Sequence, residues 1–230
     1  MRAALLLLLA AASLPGAAHA QISASVAAVS DYRFRGISQS DRKPALQGSV
    51  AYDHPSGLFA GLFVSTVDFD DDTFQADAQT YLQAGFARRL TVDLSWEIGI
   101  ARYDYLRASS NWNYGEAFAG VTWRDLNARV HYAPDYINRG ARSTYLEVNG
   151  TRALNERTAL FGHVGYWSIE DGSRRAAARS QIDVRVGVAF DLGVVSLEIS
   201  GVATNVSSDE CPGAPNWCQP GVVVAILKSF

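Results

Sequence analysis

The residue pattern calls for an all-β fold: a transmembrane, antiparallel, up-and-down barrel of about twelve strands, with long external loops and short periplasmic turns. Three features carry this reading. Apolar and polar residues alternate through segments of membrane-crossing length. The connections between those segments alternate between short and long. The chain opens on an export leader and closes on an aromatic, Phe230, at the end of an apolar strand.

The leader comes first. Arg2 supplies a positive start, Ala3 to Ala12 is an apolar core too short to span a bilayer, and Ala18-His19-Ala20 is a cleavage site of A-x-A type. Residues 1–20 are therefore expected to be removed, leaving 21–230 as one barrel domain. No cysteine follows the cut, which argues against a lipid anchor. After Ala20 no apolar run approaches the ~18 residues of a spanning helix. A formal charge of -3 argues against nucleic acid as a partner. A mean hydropathy close to zero suits a lipid face averaged against a polar interior.

The alternation is clearest from Leu90 to Ala101. Leu90, Val92, Leu94, Trp96, Ile98 and Ile100 fall on one face, and Thr91, Asp93, Ser95, Glu97 and Gly99 on the other. From Gln181 to Phe190, Ile182, Val184, Val186 and Val188 oppose Asp183 and Arg185. Successive strand residues point to opposite faces, so each segment has one greasy and one polar side. Matching every segment to this template places strands near 22–32, 45–54, 57–67, 79–88, 90–102, 115–124, 126–133, 143–153, 157–168, 180–190, 193–204 and 221–230. The faces blur most in the third and ninth. Tight turns are expected around 54–57, 88–90, 124–127, 153–156 and 191–193. Long polar loops are expected near 33–44, 68–78, 103–114, 134–142, 169–179 and 205–220, with both termini on the periplasmic side.

This register turns a polar set inward. Candidate pore-lining residues are Asp93, Glu97, Arg129, His131, Glu147, Asp183, Arg185 and Glu198, with Tyr81, Gln83 and Asn149 beside them. Inward charges of both signs fit a narrow hydrated path, or a salt-bridge network that stabilises the wall.

The first loop reads Ser30-Asp31-Tyr32-Arg33-Phe34-Arg35-Gly36-Ile37-Ser38-Gln39-Ser40-Asp41. Arg33 and Arg35 are expected at the external rim. There they would attract anionic solutes or lipopolysaccharide phosphates, or act as a latch pairing with loop carboxylates while Tyr32 and Phe34 anchor in the aromatic belt. Together with Lys43-Pro44-Ala45-Leu46-Gln47-Gly48, Ser56-Gly57-Leu58-Phe59-Ala60-Gly61 and Val67-Asp68-Phe69, this stretch resembles the TorF family of proteobacterial porins. The close match covers residues 28 to 69, and the strand rhythm extends it loosely to the end. The resemblance implies an outer-membrane barrel of porin type and supplies no catalytic residues.

The remaining candidates are weaker in chemistry. Cys211 and Cys218 would sit in an oxidising compartment, where a local disulfide is expected. Asp68, Asp70, Asp71 and Asp72 offer oxygen ligands suited to calcium. They lack the glycine and distal glutamate of an EF-hand loop, so a solvated external loop is the plainer reading. Arg174, Arg175 and Arg179 make the fifth loop basic. A lipid-cleaving barrel would need serine beside histidine. His54 falls in a turn, His131 faces the lumen without a serine partner, and there is no G-x-S-x-G elbow.

These readings lead to an expected channel for passive diffusion of small hydrophilic solutes, without cofactor or metal. The expected partners are outer-membrane lipid, lipopolysaccharide and the barrel-assembly machinery, which in related barrels recognises a C-terminal aromatic. A non-conducting structural or adhesive barrel is the alternative, and a lipid-modifying enzyme a more distant one.

Overall fold

The computed structural model describes residues 21–71, 74–108, 112–138, 140–170 and 180–230. The expected leader, Asp72 and the basic triplet Arg174, Arg175 and Arg179 lie outside them. The strands are β1 (Gln21–Val29), β2 (Arg33–Phe34), β3 (Ile37–Ser38), β4 (Ala45–Asp53), β5 (Leu58–Asp71), β6 (Phe74–Arg89), β7 (Leu94–Leu106), β8 (Tyr114–Trp123), β9 (Leu126–Tyr136), β10 (Ala141–Ala153), β11 (Thr158–Glu170), β12 (Ser180–Asp191), β13 (Ser196–Thr204) and β14 (Gly221–Ser229).

Twelve of them form one closed antiparallel barrel, each strand pairing with its neighbours in sequence, and β2 and β3 make a separate hairpin. Closure pairs β1 with β14, from Ser25 opposite Ser229 to Val29 opposite Ala225. The Phe230 amide donates to the carbonyl of Ala24 at 2.9 Å. A closed ring leaves no unpaired sheet edge, the arrangement that a hydrocarbon surround demands of β structure.

The period-2 pattern sets the two faces. Leu82, Ile98, Ile100, Val130, Leu146, Val164, Ile182 and Val186 all point outward and are exposed, and Val186 and Ile100 are each 66% exposed. A water-soluble protein would bury such a band, whereas lipid solvates it. Among the described residues no helix is long and apolar enough to cross a membrane. Lys228 also points outward, close to the chain end, with its Nζ 5.4 Å from the Phe230 ring centre. Val186→Arg is expected to destabilise the refolded barrel by ~2–4 kcal/mol in lipid vesicles, the cost of a midplane charge on the lipid face. Val186→Leu should be nearly neutral in the same urea titration.

Two expectations about the barrel strands need correction. The segment 68–78 is not a long loop: β5 runs to Asp71 and β6 restarts at Phe74. The pair extends because Val67, Phe69 and Ala76 are buried in a cluster with Ile37, Tyr105 and Trp217 at the loop end of the barrel. Apolar contact beyond the spanning segment therefore keeps the ladder going past a register shift between Thr66 and Phe69. The second correction concerns Asp93. It lies in the turn before β7, exposed, with its carboxylate 3.3 Å from Arg124 Nε. Val92 beside it is 87% exposed, so the apparent alternation of 90–93 is turn sequence rather than strand.

Candidate functional site

The site lies inside the barrel, where the first loop folds in instead of standing at the rim. The hairpin β2–β3 turns through Arg35 and Gly36, whose φ angles are 49° and 80°. A two-residue hairpin turn of type I′ needs positive φ at both central positions. Gly36 is also pressed to the wall: a Cβ there would lie 2.6 Å from Asp183 Cβ.

The turn delivers Arg35 to the interior, where its side chain is 4% exposed and Glu116 opposite is 1% exposed. Nη2 of Arg35 donates to both Glu116 oxygens, at 2.7 and 2.9 Å. The guanidinium carbon lies 4.9, 4.3 and 5.5 Å from the ring centres of Phe34, Tyr145 and Trp167. The Gln181 side-chain amide donates to the Arg35 carbonyl. The rim position expected for Arg35 is thus wrong, because a buried carboxylate and ring faces on the barrel wall satisfy its charge.

Arg33 is not a free rim charge either. It pairs with Asp31 at 2.6 Å with both side chains almost fully covered. It donates to the carbonyls of Gly36, Trp217 and Gln219 at 3.2, 2.8 and 3.0 Å, tying the first loop to the last. Tyr32 donates to Gln79 at 2.6 Å, and Phe34 packs on Tyr103 at 5.5 Å. Both rings face inward rather than into an outer aromatic belt.

The last loop is braced by a disulfide between Cys211 and Cys218. Trp217 packs edge-on against Phe69, 5.2 Å between centroids, and its Nε1 donates to Asp41 Oδ1 at 2.9 Å. That bond, with further help from Lys43 and Asn216, holds the Asp41 carboxyl below its ordinary value of 3.8. A depressed folded value means stability present above the ordinary carboxylate range and lost as pH falls through the folded value. Pepsin nicking of 205–220 should therefore rise on acidification below that value, and Asp41→Asn should flatten the pH dependence. Lys43 also pairs with Asp68 at 2.8 Å, which accounts for one acid of the proposed calcium run. Asp70 and Asp71 belong to β5, and among the described residues no three ligating side chains gather to hold a metal.

Below the hairpin a polar chain crosses β8 to β12. His131 contacts Glu116 at 3.3 Å and Glu147 at 3.2 Å. His163 Nδ1 faces Asn149 at 2.7 Å, and its Nε2 lies 2.9 Å from both Asp183 and the Tyr145 hydroxyl. A hydrolytic relay needs an acid on one imidazole nitrogen and the nucleophile on the other. At His163 the Tyr145 hydroxyl shares Nε2 with the Asp183 carboxylate, while Nδ1 faces Asn149 with Glu147 further off at 3.8 Å, and His131 sits between two carboxylates. Gly165 makes this sharing possible, because a Cβ there would collide with the Tyr145 hydroxyl.

Nearer the turn end two ion pairs line the wall: Glu97–Arg129 at 2.7 Å and Arg185–Glu198 at 3.2 Å. Their side chains are 17–20% and 24–36% exposed, against 4% and less at Arg35–Glu116. Inward side chains are thus less closely covered toward the turns than at the hairpin. Across the barrel Ser25, Ala27, Ser49 and Ala225 present small neutral side chains, with a Ser25–Ser49 hydroxyl contact of 2.7 Å. Of the residues expected to face inward, Glu97, Arg129, His131, Glu147, Asp183, Arg185 and Glu198 do, and Asp93 does not.

Sequence reasoning missed Glu116, Tyr145 and Trp167, and noted His163 as a histidine without giving it a face. Glu116 alternates with alanines on its lipid side, so its strand shows little hydrophobic contrast. His163 and Trp167 lie in the strand whose faces blurred. A one-residue shift of register there, aligned on Leu160 and Val164 as outward, would have exposed both.

The chain is similar to two solved barrels. The KdgM porin superposes with a TM-score of 0.56 at 11% identity, over 90% of this chain and 99% of that one. The NanC porin gives 0.58 at 13% identity, over 90% and 98%. At this identity the likeness establishes a shared fold. No curated protein sequence matches the chain. Residues 14–230 match the model of the family described as "Bacterial protein of unknown function (Gcw_chp)", and the chain belongs to that family.

Proposed function

We propose that the protein is an outer-membrane channel of porin type that passes small hydrophilic solutes by passive diffusion. The observation that carries this reading is a closed twelve-strand barrel whose outer face is a band of exposed aliphatic residues and whose inner face is charged. The first-loop motif and its resemblance to the TorF family support the same reading, as does the fold shared with two porins. On this reading the turn end faces the periplasm and the loop end faces out, toward lipopolysaccharide. The leader directs export, and the barrel-assembly machinery inserts the chain by its C-terminal strand.

Solutes would enter a hydrated vestibule lined by Glu97, Arg129, Glu147, Arg185 and Glu198. They would meet the hairpin β2–β3 as the constriction. One solved KdgM porin is described in complex with disordered oligogalacturonate. For the present chain the solute class is argued from its own charges below. A non-conducting structural barrel is the second reading, favoured by the dense packing of the loop end around Trp217 and the disulfide. Planar-bilayer recording of the refolded chain separates the two. Discrete current steps are expected, and a silent bilayer containing correctly folded barrel would reject the channel.

A further inference from the structure

We propose that the barrel carries a binding site for monovalent organic cations, guanidinium or quaternary ammonium ions, at the place now filled by its own Arg35. As a statement of solute class this rests on the channel reading; as a binding site it stands without it.

The walls of the site belong to the barrel, while its occupant arrives on a two-residue turn. Glu116 on β8 supplies a carboxylate that is 1% exposed. Tyr145 on β10 and Trp167 on β11 supply ring faces 4.3 and 5.5 Å from the guanidinium carbon. Tyr136 supports Trp167 edge-on, with 5.0 Å between centroids. A buried carboxylate beside aromatic faces is the chemistry that selects organic cations, since ring quadrupoles attract a charge whose hydration shell is weak. Strongly hydrated inorganic cations gain less from such walls.

Two further observations point the same way. Arg35 Nη1 is buried with no hydrogen-bond acceptor. The walls thus hold the group largely by charge and ring contact, and an ammonium ion without N–H donors loses little there. The inward ion-pair network is also unbalanced. Arg35, Arg129 and Arg185 face Glu97, Glu116, Glu147, Asp183 and Glu198, an excess of two negative charges while His131 and His163 are neutral, which protonation of both would cancel. With the histidines neutral, cations are favoured along the approach from the turn end, and anions are disfavoured. Arg35 acts as a tethered ligand, and a free cation must displace it or find it withdrawn.

The test is calorimetric titration of the refolded barrel in detergent with methylguanidinium, tetramethylammonium, sodium and sulfate. Arg35→Ala is expected to bind both organic cations at least about tenfold more tightly than wild type, whose own side chain competes at high effective concentration. Adding Glu116→Gln should weaken that binding about tenfold or more by removing the counter-charge. Sodium and sulfate should give no comparable heat. Arg35→Gln, which fills part of the same space, serves if the alanine variant does not fold, with folding judged by heat-modifiable gel migration. Failure of both folded variants to bind, equal binding after Glu116→Gln, or tighter binding of sulfate would overturn the site. Conductance is recorded separately. A barrel that binds these cations yet carries no current keeps the site and rejects the channel, and one that conducts without binding rejects only the site.

Discussion

Arg35→Ala is expected to raise single-channel conductance several-fold in planar bilayers. The hairpin tip carries one buried side chain that touches Glu116 twice and the wall rings of Tyr145 and Trp167. Those contacts, with the Gln181 bond to the Arg35 carbonyl and the Arg33 bonds to the last loop, keep β2–β3 in the lumen, because the hairpin itself contributes only two paired residues per strand. Breaking a buried ion pair by removing one partner costs ~3–5 kcal/mol, since the remaining charge is left without compensation. Here the loss should fall at the low end, because His131 lies 3.3 Å from Glu116 and can take up a proton beside it once Arg35 is gone. The hairpin should then leave the wall, and water should reach Glu116 from the vestibule. Arg35→Lys keeps the charge but loses the flat surface that stacks on Tyr145, so an intermediate conductance is expected. Wild-type current from a folded Arg35→Ala barrel would show that the hairpin does not limit permeation.

The double variant Cys211→Ala, Cys218→Ala should be nearly as disruptive, at the other end of the same latch. The disulfide closes a short ring with a sequence separation of 7. Chain entropy alone puts its worth at about 2.5 kcal/mol for a loop of this size. Packing adds to this, since Cys218 is 2% exposed and sits in a cluster with Ile37, Phe69 and Trp217. The last loop also presents the carbonyls of Trp217 and Gln219 to Arg33, so loosening it should loosen the hairpin. Brief openings should become more frequent in the variant, and adding reductant to wild type should reproduce them. If the current record is unchanged by both treatments, the last loop does not brace the hairpin.

Most of the barrel can be read along the chain, because strand direction and side-chain alternation are local properties. In a segment such as Gln181 to Phe190 every second residue must face lipid, so Ile182, Val184 and Val186 dictate where Asp183 and Arg185 point. Turns at His54, Arg124 and Asp191 punctuate the strands for equally local reasons. This local logic ends where one connection meets another. Nothing in Asp31 to Ser38 announces that Arg35 will find Glu116, which is 81 positions away. Nor does it announce that Arg33 will find carbonyls 184 and 186 positions away. The fate of those arginines was settled by the closed ring, which brings β8, β10, β11 and the last loop within reach of one turn. Barrel closure thus converts a motif expected at the rim into an interior hairpin. The physical reason is that a guanidinium inside a low-dielectric wall must be paired, and its partners exist only once all twelve strands have met.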